Sequence, residues 1–434
     1  MKKSPTFTVK IEKLVPGGQG IATLKNGKKA FIWNALPEEE VVFYTTKEKK
    51  SYCEGIATEI KTKSKHRVSP KDNCFLSTSP WQIFDYNYEL KQKSQLVQES
   101  FRQNHLDVDV FPIITDGKDY RYRNKMEYSL YWDNDQNKIL PAFHQRGSHR
   151  KIPITQSSIE RPEIFESVQK IIDELNAKNE EARKYQSIMI RCNQAGEIAS
   201  ALFENGKPHP KMDNLTDTIL GTEYSYSPNG FFQINLPVYE LALKEIKNHI
   251  NTQNLLDLYS GVGSIGLSVS NPDQNLVLVE NNKDAFRELK SNCLAKSVPS
   301  IRETSGGYDR GRDARHPQRR AGATSFSRID GTGLVMPILD KSENVPNYIQ
   351  PDQTVILDPP RAGCDDKLVA TLNEKKPQTI IYLSCNPITQ ARDVANLIDN
   401  YEIKKIQPYN FFPHTPHIEN LVILNLKTNS ESDN

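Results

Sequence analysis

Residues 255–270 read LLDLYSGVGSIGLSVS: an apolar run, a glycine-rich turn and the start of a helix, with Gly261, Gly263 and Gly266 at G-x-G-x-x-G spacing. Glycines so placed let the backbone come close to a nucleotide-like cofactor, although tight helix–strand packing alone also calls for them. The next apolar run, LVLVE, ends in Glu280, a carboxylate able to accept hydrogen bonds from ribose hydroxyls. The pair suits a dinucleotide or S-adenosylmethionine equally. Further out, LLDLY, NLVLV, TVILD and TIIYLS are short apolar runs that alternate with helical pattern from about residue 228 and end in polar or glycine-bearing loops. That alternation predicts a parallel, doubly wound α/β sheet whose ligands collect at the C-terminal ends of its strands.

TVILDPPRAG, residues 354–363, narrows the choice of cofactor. A strand ending in Asp358-Pro359-Pro360-Arg361 sets a carboxylate and a rigid proline turn over the pocket, as methyltransferases of this architecture often do, and dinucleotide folds have no need of it. One crossover later TIIYLSCNP ends in Cys385, which should face the same crevice. An isolated cysteine is usually a small buried hydrophobe, but a position at a strand end beside the rigid Asn386-Pro387 turn favours a reactive thiol. Near the C-terminus NFFPHTPHIENLVIL carries His414, His417 and Glu419 ahead of a last strand. The H-x-x-H spacing has no third ligand in view, so no metal is predicted. Glu419 could be a base for cysteine chemistry or a surface carboxylate, and the residues alone leave both open.

The chain's 434 residues, 37% hydrophobic and 25% charged, fit two or three soluble globular domains. No apolar run approaches the roughly 20 residues of a membrane helix, and the N-terminus lacks the apolar core of a secretory signal, so a cytoplasmic protein is expected. The six cysteines form no C-x-x-C pair, which supports neither a disulfide framework nor a metal site. The net charge of +2 hides an asymmetry: residues 1–70 hold 14 Lys/Arg against 7 Asp/Glu. In the same region FTVKIEKL, GIATL, KKAFIW, EEVVFYTT and SYCEGIATEI read as five short strands, with Gly17, Gly18 and Gly20 supplying the first tight turn. A small OB-like barrel over 1–62 is expected, and Lys25, Lys28, Lys29, Lys47, Lys49 and Lys50 could give it a basic face for nucleic acid or merely a solvated surface. After a polar linker, residues 75–227 read as a central α+β domain. Its segment YRYRNKMEYSLYWD interleaves Arg121, Arg123 and Lys125 with Tyr122 and Tyr128, which suits RNA or a half-buried strand equally. Residues 228–434 form the doubly wound domain, to which a helix over 86–104 could belong.

The ordered set GFFQIN, DLYSGVGSIG, LVE, DPPRAG, SCNP and FPHTPHIEN resembles the RNA uracil-5-methyltransferases, bacterial enzymes that make 5-methyluridine in 23S rRNA or in tRNA. The likeness covers nearly the whole chain, and the small barrel resembles the TRAM domain of the rRNA members. It implies a Rossmann-like class I methyltransferase domain that uses S-adenosylmethionine, with Cys385 as nucleophile and Glu419 as base. It also implies cofactor contacts from Gln233, Tyr259, Glu280 and Asp358, with Gly261 in the glycine turn. Carbon 5 of uracil is too weak a nucleophile to take a methyl group unaided, so a thiolate must first add to carbon 6 and a base must later remove the carbon 5 proton. Phe231 or Phe232 could stack on a base flipped out of its RNA, or belong to the core. The barrel favours 23S rRNA over tRNA as partner, and a monomer is the default.

Two departures stand out. Many family members carry a four-cysteine iron–sulfur motif after the barrel, whereas this chain keeps only Cys74 there, and one thiol cannot hold a cluster. Residues 302–328, RETSGGYDRGRDARHPQRRAGATSFSR, hold 7 of the 19 arginines and almost no aliphatic residue where the family has a third strand with an acidic turn. If the segment replaces that strand, the cofactor site is damaged. The alternatives are an amino-group methyltransferase, against which Arg361 and Cys385 count, and a non-catalytic RNA-binding factor on the same scaffold.

Overall fold

The computed structural model describes residues 6–296, 326–327 and 333–428. The chain divides into two compact units, one of Met1–Leu215, Gln233–Val238 and Gln407–Asn420, the other of Thr216–Phe232, Tyr239–Ile406 and Leu421–Asn434.

The first unit begins with β1 (Thr6–Lys10), β2 (Lys13–Leu14), β3 (Gly20–Thr23), β4 (Lys29–Trp33), β5 (Glu40–Glu48) and β6 (Tyr52–Thr62). The hydrogen-bonded order is β1-β5-β6-β4-β3-β2, with β4 and β6 parallel. Because β1 and β2 are two halves of one run broken at Ile11-Glu12, the order closes on itself as a five-stranded OB-type barrel. Ile11, Ala22, Ala30, Ile32, Val41, Phe43, Cys53 and Ala57 fill its interior. Gly17 and Gly18 take φ of +96° and +95°, so they do supply the tight turn. Gly20 instead lies in β3, where a Cβ would come within 2.8 Å of Ile11 Cγ2, so its role is close strand packing. Three of the six barrel lysines are paired to acids: Lys28 to Glu48, Lys29 to Glu12 and Lys47 to Glu54. Lys25, Lys49 and Lys50 remain as exposed basic surface.

The short helix α1 (Phe75–Thr78) and the long α2 (Tyr86–Gln103) follow, then β7 (Lys125–Asp133), β8 (Lys138–His144), β9 (Lys151–Pro153), α3 (Pro162–Ala177), β10 (Ser187–Cys192), β11 (Ile198–Glu204) and β12 (Lys207–His209). The sheet order is β12-β11-β10-β7-β8-β9. On α3, with Pro162 in its first turn, the stripe Ile164, Val168, Ile172 and Leu175 packs on Met126, Tyr128, Leu130, Ile188 and Ile190 of the sheet. The strand period turns Tyr128 inward, and its hydroxyl donates to the buried Glu160 carboxylate. Tyr122 is buried too, donating to the Pro413 carbonyl at 3.0 Å. Neither ring is free to stack on RNA, and the half-buried strand is the reading that holds. Cys74 lies in this core, where burial above all, with Asp72 adding, pushes its thiol up to about 12.

The second unit holds most of the hairpin β13 (Leu215–Ile219) and β14 (Thr222–Tyr226), α4 (Leu236–Asn248) and an eight-stranded sheet. Its strands are β15 (Asn254–Leu258), β16 (Asn275–Glu280), β17 (Phe326–Ser327), β18 (Leu334–Leu339), β19 (Gln353–Leu357), β20 (Thr379–Ser384), β21 (Tyr401–Tyr409) and β22 (Glu419–Leu426). Between them run α5 (Gly266–Val269), α6 (Lys283–Ala295), α7 (Asp366–Lys375) and α8 (Pro387–Ala395). The order β17-β18-β16-β15-β19-β20-β22-β21 has five successive strands, β18 to β20, joined in parallel. Strands β19 and β20 are buried along their whole length, as continuous apolar runs between helical layers must be. The third strand is not replaced. It is β18, LVMPIL, paired with β16 from Leu276↔Val335 to Glu280↔Leu339, and Asp340 follows at its end. Of the arginine-rich segment, Phe326–Ser327 pair with β18 as β17 and the remainder lies outside the described residues.

Candidate active site

The parallel registers line up the strand ends. Leu258 of β15 pairs with Val279 of β16 and with Leu357 of β19, so Tyr259, Glu280 and Asp358, one residue on, stand in one row across three adjacent strands. Leu357 pairs with Tyr382 of β20, so Cys385 emerges from the neighbouring strand three residues later. Gln233 and Glu419, both buried, belong to the first unit, whereas Tyr259, Gly261, Glu280, Asp358 and Cys385 belong to the second.

The glycine turn is held from below. The Asp257 carboxylate accepts the Gly266 N–H at 2.9 Å, and the Glu280 carboxylate accepts Gly261 N–H at 2.8 Å and Asn282 N–H at 2.6 Å. Tyr259 sits at φ +64°, a left-handed conformation that a bulky residue adopts only where the surroundings enforce it, and such residues cluster at ligand sites. A side chain at Gly263 would be strained, at φ +88° and with its Cβ 2.7 Å from Leu289 Cδ1.

Burial, with Asp358 and Glu280 nearby, pushes the Asp257 carboxyl up to about 8, and burial pushes Asp358 up to about 7. Raised so far, these two carboxyls are half to mostly protonated near neutral pH and act as hydrogen-bonding groups more than as full negative charges. The Gly261 N–H that a phosphate would need is already taken by Glu280. Asp257 Oδ1 is buried with no partner. The polar groups at these strand ends suit the ribose hydroxyls and the ammonium group of S-adenosylmethionine. Asp340, at the end of β18 beside Glu280 and donating its own N–H to the Glu280 carbonyl at 3.1 Å, is a further acidic strand end. The arginine-rich run ahead of it masked this short strand in the sequence.

The Asp358-Pro359-Pro360 turn is tied to the helix that follows Cys385. Asn386 caps α8, and its Nδ2 donates to the Arg361 carbonyl at 2.8 Å. Thr389 donates to the same carbonyl and Arg392 to that of Ala362, both at 3.1 Å. The Asp393 carboxylate accepts Cys364 N–H and the Tyr382 hydroxyl, each at 2.8 Å. Of the two candidate stacking rings, Phe232 is core, 3% exposed and stacked on Tyr226 at 3.9 Å, while Phe231 is 78% exposed. Among the described residues no group of three or more His, Cys, Asp or Glu could hold a metal ion, and no helix is long and apolar enough to cross a membrane.

An uncharacterized RNA methyltransferase of Bacillus anthracis is 28% identical over 97% of this chain and 97% of its own length. One from Enterococcus faecalis is 27% identical over 98% of each chain. The fold is similar to that of Pyrococcus abyssi tRNA (uracil-54, C5)-methyltransferase, solved in complex with S-adenosyl-L-homocysteine, with a TM-score of 0.69 over 96% of this chain and all of that one at 22% identity. The family model that matches is described as tRNA (uracil-5-)-methyltransferase, and the match runs from β18's end through β22. Residues 339–427 thus match the tRNA (uracil-5-)-methyltransferase family model, in a chain similar from end to end to RNA methyltransferases.

Proposed function

We propose that this protein methylates carbon 5 of a uridine in RNA, using S-adenosylmethionine, through a covalent adduct of Cys385. The observation that carries the proposal is the neighbouring of two strand ends, Asp358 after β19 and Cys385 after β20, above a glycine turn ringed by carboxylates. When bound, S-adenosylmethionine supplies an electrophilic methyl group on a sulfonium. Tyr259, Gly261, Glu280 and Asp358, with Gln233, hold it. The Cys385 thiolate adds to carbon 6 of the uracil, and the electrons of the 5,6 double bond pass into an enolate that makes carbon 5 nucleophilic. After methylation Glu419 takes the carbon 5 proton. The double bond re-forms, and the carbon–sulfur bond breaks to return the thiolate. Phe231, an exposed ring, is suited to stack on the extruded base.

The N-terminal barrel, read as a TRAM-type module with Lys25, Lys49 and Lys50 exposed, supports 23S rRNA as the substrate. The test is incubation of the protein and its Cys385→Ala variant with unmethylated total RNA and methyl-labelled S-adenosylmethionine, followed by nucleoside analysis. Labelled 5-methyluridine from the unaltered protein alone is expected, and fractionating the RNA names the substrate. Label in another nucleoside, or equal activity without the thiol, would overturn the proposal.

A further inference from the structure

Helix α2 carries two charges with no contact to solvent: Glu89 and Lys93 form an ion pair at 2.9 Å, and both side chains are completely buried. Burying such a pair contributes little or nothing to stability compared with apolar side chains of the same size. Its retention therefore calls for another reason, and the partners supply one. Both Glu89 oxygens accept the His414 N–H, at 3.0 and 3.1 Å, and Lys93 donates to Asn410 Oδ1 at 2.7 Å and the Phe412 carbonyl at 3.0 Å. His414 is held at φ +59°, a conformation that costs a non-glycine residue energy and persists only under constraint. The same loop is gripped by three more side chains or amides: Tyr122 on the Pro413 carbonyl at 3.0 Å, Trp81 N–H on the His414 carbonyl at 3.0 Å, and Asn235 on the Phe411 carbonyl at 3.1 Å. Burial, which alone would raise the Glu89 carboxyl, is outweighed by Lys93 and His414, so Glu89 is held below its ordinary value and stays ionised.

This loop, residues 410–418, leads directly into Glu419, the first residue of β22. We infer that Glu89 and Lys93 are positioning residues for the base: the buried pair is a two-handled clamp that fixes the backbone from Asn410 to His414 and thereby sets where Glu419 stands. The inference rests on the proposed role of Glu419 in removing the carbon 5 proton. A base must sit within hydrogen-bond reach of the proton it takes, so a small shift of its loop slows that step and leaves the earlier attack by Cys385 intact.

The test is the double variant Glu89→Met, Lys93→Met in the full-length protein. It substitutes apolar side chains of similar length for the pair, so the fold is retained while the loop loses its clamp. Tyr122→Phe, which removes one hydroxyl from the same loop and no charge, is the second variant. Unmethylated 23S rRNA and tRNA transcripts are mixed with S-adenosylmethionine in single turnover, and the covalent protein–RNA adduct and free 5-methyluridine are followed in time. Adduct formation at the unaltered rate is expected in both variants, with release slowed tenfold or more in the double variant and several-fold in Tyr122→Phe. Folded variants that release product at the unaltered rate overturn the inference, as does parallel loss of adduct formation and release in Tyr122→Phe. Absence of 5-methyluridine with the unaltered protein sinks the proposed function itself, and the inference falls with it.

Discussion

The Asp257 carboxylate holds the Gly266 N–H at 2.9 Å with one oxygen and leaves the other buried without a partner. Its acid is consequently raised by burial, and by Asp358 and Glu280, to about 8. A carboxyl whose folded pKa lies above its unfolded one stabilises the fold fully only below the unfolded value, near 4, and that contribution is lost as pH rises through 8. The thermal midpoint should therefore decline across this window in the unaltered protein. Asp257→Asn, which keeps an oxygen for Gly266, should flatten the decline. Melting curves from pH 5 to 9 check this, and parallel slopes for the two proteins would refute it.

Glu419→Gln separates the two halves of the proposed reaction. The amide cannot take a proton, yet Cys385 attack does not depend on it, so methylated adduct should accumulate. Denaturing gels of a reaction with labelled RNA should show a stable protein–RNA band in the variant and a transient one in the unaltered protein. Normal turnover by Glu419→Gln would mean that another group removes the proton.

The adjacent rings Phe231 and Phe232 should respond oppositely to truncation. Phe232→Ala removes a buried ring stacked on Tyr226 and should cost about 3–5 kcal/mol of stability. Phe231→Ala removes an exposed ring and should change stability by less than about 0.5 kcal/mol. If that ring stacks on a base, RNA binding should weaken by about 1–3 kcal/mol, roughly 5- to 150-fold in KM. Unchanged KM in Phe231→Ala would remove the ring from the RNA site.

Much of the second unit was legible because its signals are local. The turn at 255–270 and the runs ending in Glu280, Asp358 and Cys385 became β15, β16, β19 and β20. What escaped depends on partners far along the chain. Strand β18 is six residues long with Pro337 inside it, and pairing with β16 makes it a strand. Tyr122 and Tyr128 suited RNA stacking or a half-buried strand equally because composition does not say which face is covered; α3 covers Tyr128, and Tyr122 is buried with its hydroxyl on the Pro413 carbonyl. Nothing local marks Glu89 and Lys93, four apart on a helix, as a buried pair; the partners that hold them, Asn410, Phe412 and His414, lie more than 300 residues on.

Gly363 offers a direct probe of the tie between the Asp358 turn and Cys385. Its φ is +85°, and a Cβ would stand 2.6 Å from Asp393 Oδ2 and 2.7 Å from Arg392 Nη2, the groups that receive this turn. Gly363→Ala thus adds one methyl group and removes no hydrogen-bonding group, so the Asp393 and Arg392 side chains that hold the turn, or the turn itself, must shift. Stability should fall by about 1–3 kcal/mol from strain and overpacking. A displacement of the order of 1 Å between the Cys385 and Asp358 walls can cost about a hundredfold in rate, with far less effect on binding. The expected signature is a fall in kcat of ten- to a hundredfold below the melting transition, with KM for RNA within about threefold. Equal loss in kcat and in RNA affinity would show that the turn serves RNA binding, and unaltered kcat would show that the two strand ends keep their alignment without it.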